Sequence, residues 1–278
     1  MKANRMYLTK FCHTKDHPSN RGTLKLGTLH SYRNEELGEI HDPEEGIWTT
    51  QLVFDPSTQF SKSWLKDVLF GAVIPKMGNF IQQQQKTIVS SPFDHPGKMI
   101  IDVEKVVTLE ETQTHARLSG QAKITIDLEN ILIFCMSIDL DGNMDSPFSY
   151  DSKWSLPKSK APAFSNLIGG LLPSIPLTSL DLSTHDGIQL HHTSGIRIAG
   201  SYGEVRYIDK EIKIQEEADF TKEMMEEIFK NCHMTKDTKF QPENEFRFWY
   251  RFSLGSSIVP VTGDFFPMVN QLVGIGGR

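Results

Sequence analysis

The stretch Phe240-Gln-Pro-Glu-Asn-Glu-Phe-Arg-Phe-Trp-Tyr-Arg-Phe252 predicts a β-strand, because its apolar and polar residues alternate with a period of two. One face of this strand carries four aromatic side chains that we expect to be buried, from Phe246, Phe248, Tyr250 and Phe252. The other face carries Glu245, Arg247, Trp249 and Arg251, and Glu243 could extend it at the strand entry. This polar row suits an anionic or nucleotide-like ligand. The alternative interpretation of this row is a solvated strand face with cross-strand ion pairs.

The size and composition of the chain are typical of a soluble globular protein. It has 278 residues, of which 38% are hydrophobic and 23% charged, so it can bury a sizeable core. The longest apolar run, residues 131–136, is far shorter than the ~20 residues of a membrane span, and the first residues form no apolar signal core. Three widely spaced cysteines match neither a disulfide framework nor a zinc motif. We therefore expect a cytoplasmic protein that does not bind a membrane. A net charge of -6 disfavours sequence-independent binding to nucleic acid.

The order of the elements predicts an α+β fold with a largely antiparallel sheet, continuous or split, a few packed helices and a long proline-rich insertion. Strands are predicted at residues 6–11, 48–54 and 131–137, the last of them central, and an extended segment at 23–33. Helical spacing predicts helices at residues 61–70 and 219–232. Residues 1–278 are predicted to form a single domain, in which residues 141–187 are an insertion or a lid.

Two further clusters carry candidate chemistry. Residues 41–46, His-Asp-Pro-Glu-Glu-Gly, could bind a divalent ion or position a ribose, or they form a charged surface turn. His191 and His192 would point to opposite faces of a strand, so a shared metal ion is disfavoured, although His192 could be a ligand or an acid/base group. The chain has no nucleophile elbow, P-loop or dinucleotide-binding glycine motif, which argues against the corresponding hydrolases and Rossmann enzymes.

Several short motifs, in this order, resemble a large and mostly uncharacterised bacterial family. They are the opening strand at residues 7–11, the loop Asp42-Pro-Glu-Glu-Gly46, the strand Phe134-Cys-Met-Ser137, the step His192-Thr-Ser-Gly195 and the closing Glu243-Asn-Glu-Phe-Arg247. Members of that family carry an Asn-Asp-Pro-x-Glu loop and a terminal Glu-x-Glu-Trp-Arg motif. This chain has Phe246 in place of the tryptophan and lacks the family's Trp-x-x-Tyr segment before the histidine.

The family's layout is similar to that of ADP-ribosyltransferases, and its members often resemble components of bacterial conflict and phage defence. The resemblance implies an enzyme that consumes NAD as its substrate and transfers ADP-ribose to a protein or nucleic-acid acceptor. A fixed carboxylate would stabilise the oxocarbenium-like charge that glycosidic cleavage builds. The implied roles are catalysis by Glu245, orientation of the ribose or acceptor by Glu243, phosphate binding by Arg247 and Arg33, stacking on nicotinamide by Tyr32, and a secondary polar contact by His192.

Two other functions remain open from the sequence. In the first, the row of arginine and tryptophan side chains belongs to a non-catalytic sensor that binds a nucleotide, a nucleic acid or a protein. In the second, Asp42, Glu44 and Glu45 hold the metal of a nuclease, although the lysine that usually accompanies such carboxylates is missing. The first predicts binding without turnover, and the second predicts an activity that EDTA removes.

Overall fold

The computed structural model describes residues 6–33, 44–70, 86–90, 97–140, 144–145, 149–183 and 195–268. The strands of the described residues are β1 (Met6–Cys12), β2 (Gly27–Thr28), β3 (Ile47–Phe54), β4 (Gln59–Ser61), β5 (Lys86–Ser90), β6 (Lys98–Glu111), β7 (His115–Asp127), β8 (Leu132–Leu140), β9 (Ser152–Pro157), β10 (Ile196–Glu204), β11 (Arg206–Ile208), β12 (Glu211–Ile214), β13 (Thr235–Asp237), β14 (Glu245–Leu254) and β15 (Ser257–Val259). Their α-helices are α1 (Pro18–Arg21), α2 (Leu29–Arg33), α3 (Lys62–Leu69), α4 (Ala161–Leu171) and α5 (Lys222–Asn231). This mixture of helices and mainly antiparallel strands confirms the predicted α+β class.

The chain divides into two compact units, whereas the sequence analysis treats it as a single domain. Unit 1 comprises residues 1–45, 129–206 and 239–278, and unit 2 comprises residues 46–128 and 207–238. Each unit is therefore built from segments that are distant in sequence, and no boundary is marked by a linker-like composition. None of the described helices combines the length and the apolar character that a membrane span requires.

The sheet of unit 1 has the strand order β10-β14-β8-β1-β9, and in addition β2 pairs with β8 and β15 pairs with β14. The strand that opened the sequence analysis, β14, lies between β10 and β8 and pairs antiparallel with both. In the register with β8, Arg247 lies opposite Cys135 and Phe248 lies opposite Phe134. The predicted central position of β8 is thus correct, and β14 is central as well. On its polar face Glu245 and Arg247 are buried, whereas Trp249 and Arg251 are half-buried.

The aromatic face of β14 packs into the core of unit 1, as its alternation predicts. The side chains of Phe246, Phe248, Tyr250 and Phe252 are all buried there. Phe164 from α4 meets Phe248 edge to face, with 5.1 Å between the ring centroids. Because α4 and β9 both come from residues 141–187, the described part of this stretch belongs to the core of unit 1. Leu156 of β9 and Phe164 of α4 are both buried in that core.

Tyr250 gives unit 1 a specific dependence of stability on pH. Its hydroxyl donates to the Ser165 carbonyl oxygen over 3.0 Å, and burial raises the pKa of the phenol from 10.0 to about 12. The unfolded chain therefore releases this proton before the folded chain does. The stability linked to it is present below pH 10 and is lost as the pH rises to about 12, an effect of about 3 kcal/mol.

Urea unfolding of the wild type and of Tyr250→Phe at several pH values between about 9 and 12 tests this linkage. The variant lacks the titrating group, so its stability should fall less steeply with pH than that of the wild type. Tyr202→Phe is the matched control, because the Tyr202 ring is exposed on the neighbouring strand. If Tyr250→Phe and the wild type lose stability in parallel over this range, the linkage is absent.

Unit 2 is a second sheet, with the strand order β12-β3-β7-β6-β5 and β4 paired with β7. Among its described strands β12 pairs with β3 in parallel, and the pairs β3-β7, β4-β7, β5-β6 and β6-β7 are antiparallel. The two helices predicted from the sequence are present as α3 and α5. The Ser61 hydroxyl caps α3 by accepting from the Trp64 amide, and the Thr221 hydroxyl caps α5 in the same way. The Trp64 indole donates to the Phe220 carbonyl oxygen over 2.9 Å.

Candidate functional site

A buried cluster of three charged side chains lies on the polar face of the unit 1 sheet. Arg247 has no exposed surface, Glu45 is 5% exposed and Glu245 is 6% exposed. The Arg247 guanidinium donates to both carboxylate oxygens of Glu45, from Nη1 over 2.7 Å and from Nη2 over 2.8 Å. It also donates to Glu245 from Nε and Nη2. These residues are here called the Glu-Arg-Glu cluster. Neither interpretation of the polar row, solvated or open to ligand, matches the burial of its first two members.

The electrostatics of the cluster follow from burial and from the excess of carboxylates. Burial alone would lower the pKa of Arg247, but Glu245 and Glu45 more than offset this effect and keep the pKa well above its usual range. Cys135, opposite Arg247 on β8, has its pKa raised by burial and by the Glu245 charge. The arginine is thus firmly charged, and the thiol beside it stays protonated at neutral pH.

The short helix α2 brings two further predicted site residues to the cluster. Thr28 begins the helix, since its hydroxyl accepts from the Ser31 amide over 2.9 Å and its carbonyl accepts from the Ser31 hydroxyl. Residues 29–33 are therefore helical, and the extended segment predicted for them is wrong. The Arg33 guanidinium donates to the Glu45 carbonyl oxygen, which ties α2 to the cluster.

Tyr32 packs against β2 at a position that only glycine permits. A Cβ atom on Gly27 would lie 2.5 Å from a ring carbon of Tyr32. Burial raises the pKa of the Tyr32 phenol well above its usual value, and the charges of Glu245 and Glu45 add to the effect. Tyr32 is thus a neutral hydrogen-bonding group near the cluster. One side of its ring lies against Gly27.

Glu243 does not continue the polar face of β14. Residues Thr238–Glu243 form a 3-10 helix, and Asn244 then takes a φ of 45°, in the left-handed region that asparagine tolerates better than most residues. The Asn244 carbonyl accepts from the Ile138 amide over 2.7 Å, and its side chain donates to the Ile138 carbonyl over 2.9 Å. This break rotates the chain, so the strand alternation that would have aligned Glu243 with Glu245 ends at Glu245.

The histidine and acidic-loop candidates divide into residues outside the described ranges and one residue, Glu45, inside them. His192, His41 and Asp42 lie outside the described residues. Glu45 is part of the Glu-Arg-Glu cluster, so the interpretation of this residue as part of a charged surface turn is wrong. Within the described ranges, no group of three or more histidine, cysteine, aspartate or glutamate side chains could hold a metal ion. The pairing of Glu45 with Arg247 joins residues that are 202 positions apart, and no local sequence pattern predicts it.

This arrangement limits what the cluster can do chemically. A bidentate pair with Glu45 and a second pair with Glu245 occupy the donors with which Arg247 would bind a phosphate. Both carboxylates are likewise engaged and nearly inaccessible to solvent. A ligand would have to displace one of these bonds and leave a charged group buried without its partner, at a cost of several kcal/mol.

An open cleft of about 850 Å³ lies elsewhere in unit 1. This volume is within the range of about 300–1,000 Å³ that is typical of small-molecule sites. Its walls come from the segment before α2, from α2 itself, from the start of the segment 129–206 and from residues 260–264. The lining side chains with polar groups are Lys25, Thr28, His30, Ser31, Glu129, Asn130, Asp181, Thr262 and Asp264.

The walls of the cleft are held by hydrogen bonds among their own residues. Asn130 is buried, its side-chain oxygen accepts from the His30 amide over 3.0 Å, and its side-chain nitrogen donates to the Val261 carbonyl. Asp264 accepts from the Thr28 amide over 3.3 Å and pairs with the Lys25 ammonium over 3.1 Å. The side chains of the cleft are therefore positioned before any ligand arrives. Comparison with protein-family models, curated proteins and solved structures finds no match to this chain.

Proposed function

We propose that this chain is a non-catalytic binding protein whose ligand is a small polar molecule held in the unit 1 cleft. The accessibility of the cleft is the observation that carries the proposal. Its lining side chains reach solvent-accessible space and offer both donors and acceptors. In the Glu-Arg-Glu cluster, in contrast, the Arg247 guanidinium donates to both carboxylates, and all three side chains are buried. In this proposal the cluster fixes β14 relative to the segment that ends at Glu45, and it does not touch the ligand.

A second candidate function is the NAD-consuming ADP-ribosyl transfer of bacterial conflict systems that the sequence resemblance implies. One observation favours it: the Arg247 guanidinium donates to the Glu245 carboxylate at the start of β14 and so holds it in a fixed position, as a catalytic carboxylate would require. The low exposure of Glu245 weighs against it, since a catalytic group has to contact its substrate. The acceptor would be a protein or a nucleic acid.

Ligand-observed NMR with the purified chain and a panel of small molecules tests the binding proposal. The panel contains sugars, nucleosides, NAD, amines and amino acids. We expect at least one polar compound to bind, and we expect Gly263→Trp to abolish its binding. Gly263 lines the cleft, and a Cβ atom there would have no heavy atom within 4 Å, so the chain has room for an indole at this wall. Gly170→Trp is the matched control, since its Cβ atom would also meet nothing within 4 Å, on α4 outside the cleft. Binding that survives Gly263→Trp would exclude the cleft as the site.

Chromatographic detection of nicotinamide released from NAD separates the two candidate functions. We expect no release above the buffer rate for the wild type. If the wild type does release nicotinamide, Glu245→Gln and Glu45→Gln decide the assignment. Each variant removes the charge of one of the two carboxylates that pair with Arg247, but only Glu245 is assigned to catalysis. Turnover lost in Glu245→Gln and kept in Glu45→Gln would establish the enzyme and refute the non-catalytic proposal.

A further inference from the structure

One edge of the unit 1 sheet is long and regular. The strand β10 pairs with β14 in an uninterrupted antiparallel register, from Ile196 opposite Leu254 to Glu204 opposite Phe246. Among the described strands, β10 has no neighbour on its other side. Residues 199–202 are all exposed, so the middle of this edge is open to solvent.

The backbone groups that β10 directs outward follow from a hydrogen bond on its inner side. The Val205 amide donates to the Glu245 carbonyl oxygen over 2.9 Å, and these two residues extend the register of β10 and β14 by one position. Hydrogen-bonded pairs alternate along an antiparallel ladder, so the odd-numbered residues of β10 bond to β14. The even-numbered residues from Ile196 to Glu204 therefore direct their N–H and C=O groups away from β14, where a further strand could bond to them.

The strand β10 lacks the features that usually protect the edge of a sheet. Such edges are commonly short, or they carry lysine, proline or a β-bulge. The edge strand at the other end of this sheet, β9, has six residues, contains Lys153 and ends at Pro157. In contrast, β10 has nine residues and no bulge in its register, and between Arg197 and Glu204 it carries neither a charge nor a proline. An edge of this kind is suited to accept another strand.

The sequence of β10 is complementary to itself in the antiparallel direction. When two copies related by a two-fold axis pair edge to edge, opposite residues lie on the same face, so the axis passes through a single residue position. With Gly200 at the axis the whole strand is paired, and Ile198 lies opposite Tyr202 of the second copy. No two charges of the same sign are then opposed. The residues at the centre, 199–201, are small enough for close approach.

The pair of Ile198 and Tyr202 would add apolar contact to the backbone bonds. The Tyr202 ring stacks on Phe246 with 6.1 Å between the ring centroids, which holds it on the core side of the sheet, yet Tyr202 is 38% exposed. Ile198 is half-buried on the same side. An aromatic residue opposite a β-branched one is a favourable cross-strand pair, and the two-fold axis forms this pair twice. A second copy would thus cover apolar surface that is exposed in the single chain.

We propose that β10 is a self-association edge, at which two copies of this chain pair antiparallel about Gly200 and join their unit 1 sheets into one. The occupant is a second copy because β10 meets its own sequence with matched side chains and without opposed like charges. This inference does not depend on the cleft, since none of the described residues that line the cleft belongs to β10.

Sedimentation equilibrium of the wild type and two variants at micromolar concentrations tests this proposal. We expect the wild type to show a monomer–dimer equilibrium. Ile198→Pro removes an outward N–H from each strand and keeps the bonds to β14, so it should weaken the dimer about thirtyfold or more. Ile198→Ala is the matched control, because it keeps the N–H and loses only side-chain contact, and it should weaken the dimer about fivefold. A proline variant that dimerises as well as the alanine variant would overturn the proposal.

Amide hydrogen exchange of the wild type, resolved by residue, tests the same edge without a substitution. We expect the amides of Ile198, Gly200 and Tyr202 to be protected where the dimer forms and to exchange rapidly after dilution. The amides of Ala199 and Ser201 bond to β14, so they should stay protected in both conditions. A dimer in which the three outward amides exchange rapidly would overturn the proposal, and so would a chain that is monomeric at every concentration.

Discussion

Replacing Arg247 by methionine is expected to lower the free energy of unfolding by about 3–5 kcal/mol, because it leaves two buried carboxylates without their shared cation. Glu45 and Glu245 are 5% and 6% exposed, so water cannot readily solvate the charges that remain. In the wild type both carboxylates bind the same guanidinium, so without it their two negative charges would repel each other. One of the two carboxylates would then have to take up a proton. The aliphatic part of the side chain is kept in methionine, so the loss measures mainly the charge and its hydrogen bonds.

Urea unfolding followed by circular dichroism measures this loss, and Arg251→Met is the matched control. Arg251 lies on the same strand, is half-buried and has its guanidinium 5.8 Å from the centre of the Trp249 ring. Its replacement should cost about 1 kcal/mol or less. Equal losses in the two variants would contradict the structural role that we assign to the Glu-Arg-Glu cluster. Replacing all three members by leucine or methionine should cost less than Arg247→Met alone, because no buried charge is then left unpaired.

Replacing Gly120 by alanine is expected to destabilise unit 2 by about 3–5 kcal/mol, because both the backbone angle and the space exclude a side chain. Gly120 has a φ of 92°, in a region that residues with a side chain rarely adopt. Its Cβ atom would lie 1.9 Å from the Lys105 carbonyl oxygen, a rigid backbone atom. The pairing of β6 with β7 shifts register between Asp102 and Lys105, so the glycine lies beside an irregularity in the hairpin.

Gly255→Ala separates the backbone effect from the steric one. Gly255 also has a positive φ, of 62°, but a Cβ atom there would meet nothing within 4 Å. Its replacement should cost only the strain of the left-handed conformation, about 1–2 kcal/mol. Thermal unfolding of both variants gives the comparison. A Gly120→Ala variant as stable as Gly255→Ala would show that the hairpin adjusts around the added methyl group at little cost.

Local patterns were sufficient to predict most elements of secondary structure. The alternation in residues 240–252 predicted β14 and its buried aromatic face, and the apolar run after residue 130 predicted the central strand β8. The helical spacing of apolar residues predicted α3 and α5. These predictions succeed because hydrophobic periodicity and capping depend on neighbours within a few residues.

The predicted site was less accurate, for a physical reason that Arg247 illustrates. Periodicity places Arg247 on the face opposite the aromatic residues, which indicates either solvent or ligand. Only the tertiary structure brings Glu45, from a distant segment, onto this face beside Arg247. Glu45 then becomes the partner of Arg247 across 202 positions of sequence, and nothing in the local pattern of either residue specifies the other. The alternation pattern also predicted extended backbone at Tyr32 and Glu243. In the structure a hydrogen-bonded turn begins a helix before Tyr32, and the positive φ of Asn244 ends the strand after Glu243.

The sequence by itself determined the fold class, the main strands and helices, and which aromatic side chains form the core of unit 1, since these follow from period and composition. Only the tertiary structure decided that the chain divides into two units, that the charged row of β14 closes on itself as the Glu-Arg-Glu cluster, and that the open polar space lies at Lys25 and Asp264. Burial and ion pairing depend on residues that are distant in the chain, and their energies are set when strands assemble into a sheet.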